Sequence, residues 1–412
     1  MGLTMKAKKE VTEQVRDRYQ KASRKEKTAI LNEYIQTTGY TNRKYAIRKL
    51  GKKAVKEVLV IAGGKAAKLK PEKKKRPKNR KGRPLYTEEV ICRLRKIWAF
   101  YWYKCGKYLA PIIREQMPFL ETHSKPDFRI TPEIKEKLLK ISPAQIDRRL
   151  RSDKAALRGK GFNGTRLGEA ALLKRIPVRT HYSDSEREMP GFMQIDTVHH
   201  CNVSDSGEFA LTLTAADVAS GWVELFPLPN KAHKWALEAM QSLRASLPFP
   251  LVELHSDNGS EFINHDTVNW RDVTKTLLFT RSRPRHKNDN CFVEQKNGAV
   301  VRNYVGYARF DTDKELSAMA KVYKSLCPLL NFFIPEKKLL RKTAHGSKTI
   351  KTYDRPKTPF QRLMESPHLS QELKDRLAGQ RALLNPVDLQ YAVHIAVRAL
   401  LDAHKAKVTF SK

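Results

Sequence analysis

Three acidic residues in the middle of the chain have the types and spacing that metal-dependent chemistry needs: Asp196, Asp257 and Glu294. Asp196 ends the apolar run FMQID, Asp257 follows LVELHS, and Glu294 lies in NCFVEQKNG. Sixty residues separate the first two acids and thirty-six separate the last two. Convergent carboxylates repel one another and raise one another's pKa, and a divalent cation relieves that repulsion. Ligation by carboxylate oxygens alone favours Mg²⁺ or Mn²⁺.

Such a set of carboxylates suits phosphoryl transfer. Two divalent ions about 3.5–4 Å apart can clamp the attacking and leaving oxygens of an in-line displacement. One ion lowers the pKa of a water or of a DNA 3′-hydroxyl, and the other stabilises the leaving oxygen. We therefore interpret the three acids as ligands of two ions rather than as proton shuttles. A simpler interpretation stays open for Asp257, because Asp-Asn-Gly is a strong turn signal by itself.

The elements that must position these acids follow from apolar patterning. FMQIDTVHHC, EFALTLTAADV and GWVELFPL alternate or run apolar and predict three strands. The pattern then predicts alternating helices and strands. They are a helix over KAHKWALEAMQSLRASL, a strand over FPLVELHSD, a helix over SEFINHDTVNWRDVTKT, a strand over LLFTRS and a helix over NCFVEQKNGAVVRNYV. This order predicts an α/β domain with a mixed sheet. Asp257 then lies at the carboxyl end of a strand, where ligand sites of open α/β sheets occur.

Polar neighbours of the acids have predicted supporting or structural roles. Asn258 and Asn297 are expected to support the site, and Asn297 lies three residues after Glu294 on the same helical face. A zinc site needs convergent histidines at ligand spacing. We expect structural roles instead for the flanking histidines, with an accessory role open for the last of them: His199, His200 and His255.

The remaining acids of this region are interpreted as structural. Asp217 is expected to lie in a turn, and Asp289 is expected to cap the helix that carries Glu294. Glu253 is predicted to lie on the strand surface. Glu261 is predicted to cap its helix or face solvent, with metal ligation as the alternative.

Taken together, IDTV, HSDNGSEF and NDNCFVEQKNG resemble the DDE transposases and retroviral-type integrases. The resemblance implies an RNase H-like core in which Asp196, Asp257 and Glu294 are catalytic and bind two Mg²⁺ or Mn²⁺ ions. The stretches LLKRIPVRT, FTRSRPRHKNDNCFVEQKN and TYDRPKTPFQRL look like bacterial insertion-sequence transposases with an integrase core. Such families often carry Lys or Arg seven residues after the Glu, whereas this chain has Val301 there and Arg302 next. We therefore interpret Arg302 as a DNA contact.

The charge distribution indicates a polyanionic partner. The chain of 412 residues has 80 Lys and Arg against 43 Asp and Glu, a formal net charge of +37. Residues 191–310 hold thirteen acids and twelve bases, a net of −1, so the flanks carry +38 because 37 − (−1) = 38. Basic flanks around a near-neutral centre predict that the flanks hold nucleic acid.

Residues 1–62 are predicted to form a helix-turn-helix DNA-binding domain. Ser23 and Glu26 make a capping box, and Gly39 ends that helix. The basic helix after the turn presents three candidate DNA contacts: Arg43, Lys44 and Arg48. A plain helical hairpin with a solvated basic face is the alternative.

Residues 63–84 are predicted to be a basic linker. The stretch KAAKLKPEKKKRPKNRKGR within it contains eleven bases and one acid, which is not typical of a packed element. It is interpreted as an arm that neutralises phosphates. A nuclear localisation signal and a solvated tether are the alternatives.

Residues 85–155 are predicted to form a second helical DNA-binding domain, followed by a linker over 156–190. Thr131-Pro132 and Ser142-Pro143 are helix starts with Pro at the first helical position. The helix after Ser142 presents further candidate contacts: Arg148 and Arg149. The aromatic run over residues 98–103 is interpreted as mostly core, with a base-stacking platform as the alternative.

Residues 191–312 are predicted to be the catalytic core, and a basic loop leads into the helix that carries Glu294. This loop is expected to grip phosphate near the metals, with a solvated loop as the alternative: Arg283, Arg285 and Lys287, preceded by Arg281. Residues 313–412 are predicted to form an α-rich region with an extended basic segment. That segment is expected to wrap DNA or a partner subunit.

The sequence as a whole predicts a DNA transposase that binds element ends and catalyses metal-dependent strand cleavage and transfer. A non-catalytic DNA-binding regulator derived from a transposase and an RNase H-like nuclease without joining activity are the alternatives. Double-stranded DNA, both element ends and target, and further copies of the chain are the expected partners. Scattered cysteines and the absence of a secretory signal or apolar span lead us to expect a cytoplasmic location, nucleoid-associated in a bacterium, with no membrane partner.

Overall fold

The computed structural model describes most of the chain, in segments that fall into two compact units. One unit lies within residues 1–84 and 337–355, and the other within 85–336 and 356–412. The residues described are 3–51, 59–62, 65–68, 86–123, 128–155, 176–202, 204, 206–283, 289–345 and 348–410. Arg285 and Lys287 lie outside the described residues, as do most of the predicted linkers over 63–84 and 156–190.

Three helices begin the first unit, as predicted: α1 (Met5–Lys21), α2 (Arg24–Thr38) and α3 (Arg43–Leu50). The Ser23 side chain accepts from the Glu26 backbone and the Glu26 side chain accepts from the Ser23 backbone, which confirms the capping box. Gly39 has φ 67° and ends α2 in the left-handed conformation that suits glycine. Apolar side chains of α2 and α3 form a small core: Leu31, Tyr34, Ala46 and Leu50. The helices are confirmed, and DNA binding by them stays a prediction.

A short hairpin follows in the same unit. Strands β1 (Leu59–Ala62) and β2 (Lys65–Lys68) pair antiparallel, with Leu59 opposite Lys68. Residues 65–68 of the predicted basic linker therefore form a strand, and the role of the linker stays a prediction.

The second unit begins with five helices: α4 (Glu88–Phe100), α5 (Gly106–Thr122), α6 (Pro132–Lys140), α7 (Pro143–Arg149) and α8 (Arg151–Ala155). The Thr131 and Ser142 side chains accept from Ile134 N and Gln145 N, which confirms both predicted helix starts. Most of the aromatic run is core, as interpreted, since Trp98, Phe100 and Tyr101 are buried. These helices pack on the rest of the unit, where Gln116 Nε2 donates to Phe333 O at 3.0 Å.

A five-stranded mixed sheet forms the centre of the second unit. Its strands are β3 (Phe192–His199), β4 (Leu211–Asp217), β5 (Val223–Leu228), β6 (Glu253–Ser256) and β7 (Leu278–Arg281). The order across the sheet is β5-β4-β3-β6-β7. The first three strands pair antiparallel, and β3–β6 and β6–β7 pair parallel. The predicted α/β fold with a mixed sheet is confirmed.

Three helices connect and follow the strands, and two of them differ from the prediction. Helix α9 (His233–Ser246) precedes β6, α10 (His265–Val273) precedes β7, and α11 (Cys291–Lys296) follows β7. Helix α10 begins later than predicted because the Asn264 side chain caps it by accepting from Thr267 N. A π-helix over Asn297–Arg302, named π1, continues α11 where one α-helix was predicted. Such wider turns occur often at functional sites.

The chain after π1 adds one long helix, a ribbon and three helices. These are α12 (Asp313–Phe333), β8 (Leu339–His345), β9 (Lys348–Tyr353), α13 (Pro359–Glu365), α14 (Gln371–Ala382) and α15 (Pro386–Phe410). Helix α12 buries Met319, Val322 and Leu326, so the hydrophobic core extends beyond residue 312. The predicted extended basic segment contains the antiparallel pair β8–β9. Within the described residues, no helix is both long enough and apolar enough to span a membrane.

Candidate active site

The pairing of β3 with β6 brings Asp196 and Asp257 together. In this parallel pair Gln194 lies opposite His255. Both acids lie two residues further along, Asp196 within β3 and Asp257 directly after β6, and their carboxylates are close enough to interact. Adjacent strands are about 4.8 Å apart. The sequence predicted both acids on strands, and the strand order supplies the adjacency that the sequence alone does not contain.

Asp196 is held by two hydrogen bonds and surrounded by negative charge. Its Oδ1 accepts from Thr197 N at 2.8 Å, and its Oδ2 accepts from Asn297 Nδ2 at 2.6 Å. Burial and the neighbouring Asp257 carboxylate hold the pKa of Asp196 well above its usual value, with smaller contributions from Glu261 and Glu294. The predicted contact of Asn297 with the site is thus present in the structure.

Asp257 belongs to a tight turn that leaves no room for a side chain at Gly259. Its Oδ1 accepts from Gly259 N at 2.9 Å. A Cβ at position 259 would lie 2.7 Å from Glu261 Oε2 and 3.0 Å from Asp257 Oδ1. Burial and the Glu261 and Glu294 carboxylates raise the pKa of Asp257 to about 6. The structure therefore has the turn that Asp-Asn-Gly predicts, and the role of Asp257 in metal binding stays a prediction.

Asn258 fastens this turn to the neighbouring strand. Its Nδ2 donates to Ser282 O at 2.9 Å, and its Oδ1 accepts from Arg281 Nη1 at 3.2 Å. Both partners lie at the end of β7 or directly after it. Asn258 thus supports the position of Asp257 through the backbone.

Glu261 is a fourth carboxylate at the site. It is buried, and its Oε1 accepts from Thr197 Oγ1 at 2.8 Å. The expectation that it caps a helix or faces solvent is wrong, because α10 begins only at His265 and the intervening turn folds Glu261 inward. The only sequence signal for this placement was its position two residues after Gly259, since the shape of the turn was not predictable.

Glu294 lies in the first turn of α11, and Gln194 fixes the start of that helix on β3. Gln194 Oε1 accepts from Phe292 N at 2.8 Å and from Val293 N at 3.3 Å. Its Nε2 donates to Asp289 O at 2.9 Å. Gln194 is fully buried and was not identified from the sequence. A glutamine in the apolar run two residues before Asp196 was the available signal.

The acids and Asn297 provide the donor chemistry of a divalent-cation site. Within the described part of the chain, no three His, Cys, Asp or Glu side chains are grouped closely enough to hold a metal ion. The donor chemistry nevertheless fits Mg²⁺ or Mn²⁺, because every candidate ligand is an oxygen and the acids raise one another's pKa. Asn297 Oδ1 is also buried and accepts no hydrogen bond from the described residues. Asp196, Asp257 and Glu294 are the side chains that would hold the ions.

Other acids and histidines have structural environments. Glu253 is fully buried, and its Oε2 accepts from Arg179 Nη2 at 2.6 Å, so its predicted surface position is wrong. Strand β6 has β3 and β7 on either side, which explains that burial. Asp217 accepts from Gly191 N and Ser220 N in a turn, as predicted. Burial lowers the pKa of His255 to about 4, and its ring contacts Thr280 and Ser282.

Several predicted DNA contacts have partners within the protein. Arg283 donates to both carboxylate oxygens of Asp289, at 2.9 Å and 2.8 Å. Asp289 therefore binds Arg283 rather than capping α11, whose start Gln194 holds. Arg302 Nη2 donates to His199 O at 2.8 Å. Arg43 Nη1 donates to Asn32 Oδ1 at 2.6 Å, and Lys44, Arg48, Arg148 and Arg149 are exposed.

The mixed sheet belongs to an integrase-type, RNase H-like core, and the family model "Integrase core domain" matches residues 186–287. The chain is 34% identical over 361 residues to the uncharacterized protein y4rM of Sinorhizobium fredii (strain NBRC 101917 / NGR234). The alignment covers 87% of this chain and 96% of that protein. The chain therefore belongs to the family of y4rM.

Solved integrases show a weaker likeness. The catalytic core domain of BIV integrase is 18% identical with a TM-score of 0.27, over 43% of this chain and 96% of that chain. The HTLV-2 integrase core in complex with magnesium, dimeric form, is 16% identical with a TM-score of 0.27, over 36% and 91%. A simian T-cell lymphotropic virus intasome matches at 16% and 0.26, over 41% and 54%. TM-scores this low do not support a structural assignment, so the assignment of the core rests on the family model.

Proposed function

We propose that the protein is a DNA transposase that binds the ends of its element and catalyses metal-dependent strand cleavage and strand transfer. One observation carries the proposal. The parallel register of β3 and β6 sets Asp196 beside Asp257, within a domain that matches the integrase core. The Glu294 carboxylate is close enough to raise the pKa of both.

The chain's own residues hold and orient the oxygen ligands of this site. The Asn297 amide fixes Oδ2 of Asp196, and the Gly259 amide fixes Oδ1 of Asp257. The carboxylates of Asp196, Asp257 and Glu294 would ligate Mg²⁺ or Mn²⁺. When bound, two such ions supply activation of the attacking hydroxyl and neutralise charge at the leaving oxygen.

DNA is the proposed substrate and the proposed partner of the flanks. The flanks carry a net charge of +38, against −1 for residues 191–310. Helix α3 and helix α7 are the proposed end-binding elements, through Arg43, Lys44 and Arg48 in one and Arg148 and Arg149 in the other. Arg283 and Arg302 are proposed to contact DNA near the acids, and such contacts would first have to give up their present partners. Joining two ends requires that they be held together, so we propose a homo-oligomer on DNA.

A strand-transfer assay on cognate end DNA with Mg²⁺ or Mn²⁺ tests the proposal. Replacing Asp257→Asn removes one charge from the carboxylate cluster, and we expect joining to fall at least about 100-fold. The matched control is Asp272→Asn, because the side chain of Asp272 is 46% exposed and pairs with the adjacent Arg271. Joining by this control should equal that of the parent.

Three outcomes would contradict the transposase proposal. Joining by Asp257→Asn at the parent rate would show that Asp257 is not a metal ligand needed for the reaction. Hydrolysis of DNA by the parent without any joining would favour an RNase H-like nuclease. Binding of DNA that is unchanged by divalent ions, with neither nicking nor joining, would favour a DNA-binding regulator derived from a transposase.

A further inference from the structure

The antiparallel pair β8–β9, here called the basic ribbon (residues 339–353), concentrates positive charge without compensation. It contains four Lys and Arg and no Asp or Glu. Lys342 lies directly opposite Lys351 in the register. Like charges in directly opposite positions destabilise a strand pair. The repulsion between these two lysines therefore destabilises the ribbon, and a bound polyanion would reduce that repulsion.

Both faces of the basic ribbon are open to solvent. Lys342, Lys351 and Tyr353 share one face, and Arg341 and Ile350 lie on the other. All five of these residues are exposed, including Tyr353 at 46% and Ile350 at 42%. Leu340, at the irregularity in the register, is 62% exposed. An isolated two-stranded hairpin is at best marginally stable in water, so these faces are suited to contact with a partner.

The one acid of residues 337–357 lies at the base of the ribbon. Asp354 Oδ1 accepts from Lys338 N at 2.7 Å, and Asp354 N donates to Lys338 O at 3.1 Å. Arg341, Lys342 and Lys351 form no salt bridge with an acid among the described residues. The single acid is thus bound to the backbone at the base of the ribbon, and the paired strands themselves contain only basic charged residues.

We propose that the basic ribbon binds duplex DNA, with Arg341, Lys342 and Lys351 on backbone phosphates. Charge complementarity supports this occupant, and the major groove of B-DNA is wide enough to admit a two-stranded ribbon. A second copy of the ribbon is disfavoured, because it would present the same positive charge. The inference rests on the proposed function for DNA as partner, and it adds a contact outside the helices proposed to bind element ends.

The test is DNA binding by the full chain carrying Lys342→Gln and Lys351→Gln. Fluorescence anisotropy with a labelled mixed-sequence duplex is measured across a range of salt concentrations, with a chelator present. Each lost phosphate contact lowers the steepness of the log affinity against log salt plot by about 0.9, so the double variant should lose about 1.8. The Lys342→Arg, Lys351→Arg variant keeps both charges and should keep the parent slope.

The control variant is Lys140→Gln with Lys405→Gln, which removes the same charge elsewhere. Each of these lysines pairs with an acid on its own helix, Lys140 with Glu136 at 2.5 Å and Lys405 with Asp402 at 3.7 Å. A slope for the ribbon variant equal to that of this control would overturn the inference. A change of oligomeric state without DNA, seen by sedimentation in the ribbon variant alone, would overturn it in favour of contact between copies.

These outcomes separate the ribbon from the proposed enzymatic activity. Binding in chelator requires no catalysis, so a ribbon-dependent slope with no strand transfer would keep the ribbon assignment and remove the transposase. Strand transfer by the parent, together with a salt-dependence slope that is the same with and without the ribbon lysines, would keep the transposase proposal and overturn the ribbon assignment.

Discussion

At the scale of single residues, burial and the mutual repulsion of the acids act in the same direction on the candidate site. Asp196 and Asp257 have raised pKa values because burial and neighbouring carboxylates both disfavour ionisation. Hydrogen bonds from Asn297 and Gly259 offset only part of that cost. Residue type and spacing predicted Asp196, Asp257, Glu294 and Asn297 as one site, and metal ligation there stays a prediction. The burial of Glu261 was not predictable, because a turn that folds inward has no periodic signature.

The raised pKa of Asp257 predicts how the stability of the metal-free protein depends on pH. The folded-state pKa is about 6 and the ordinary value is 3.8, so the folded state binds more protons between them. The free energy of unfolding should therefore fall as pH rises from about 4 to about 6. Asp257→Asn should remove a part of this decrease, on the order of 2 kcal/mol.

Chemical denaturation at a series of pH values, with a chelator present, measures this effect. The difference between the parent and Asp257→Asn isolates one carboxyl from the many others that titrate. A difference that stays constant across the range would mean that the environment of Asp257 does not raise its pKa.

At the scale of elements, strands and helices were predictable where their apolar patterns were regular. The order of three strands, helix, strand, helix, strand and helix was predicted, and the structure confirms it. The order of the strands across the sheet was not predicted, because the adjacency of β3 and β6 depends on contacts between residues about sixty positions apart. The π1 turn was missed because a single π-helical turn that continues an α-helix is too short to have a periodic pattern of its own. The burial of Glu253 was missed because a charged residue in a central strand requires a partner, Arg179, that is distant in sequence.

The docking of α11 on β3 predicts a positioning role for Gln194. Gln194→Ala leaves the Phe292 and Val293 N–H groups and the Asp289 carbonyl without their side-chain partner. We expect a loss of about 1–3 kcal/mol in the free energy of unfolding. Strand transfer should fall about 10- to 100-fold, because Glu294 loses its fixed position. Denaturation and joining assays on the same preparation measure both effects.

The matched control for this variant is Gln390→Ala. Gln390 is also fully buried, and neither of its side-chain polar atoms has a hydrogen-bond partner among the described residues. Gln194→Glu retains the acceptor for the two N–H groups and should restore part of the joining activity. Equal losses of joining in the Gln194→Ala and Gln390→Ala variants would show that Gln194 has no special role.

At the scale of the whole molecule, charge is divided between the core and its flanks. This division was visible in the sequence, since residues 191–310 carry −1 within a chain of +37. The ribbon β8–β9 was not foreseen, because lysine is depleted in strands and its basic residues therefore give no strand signal. The family match and the acids support the catalytic proposal, and the flanks support DNA as the partner.

We propose that Asp196, Asp257 and Glu294 together hold divalent cations, and calorimetric titration with Mn²⁺ measures that binding. The full chain is titrated above pH 7, where Asp257 with a pKa of about 6 is mostly ionised. We predict Mn²⁺ binding by the parent and by Asp272→Asn, and loss of that binding in Asp257→Asn. Mn²⁺ binding by Asp257→Asn with the parent affinity, or no Mn²⁺ binding by the parent, would contradict the assignment of these acids as metal ligands.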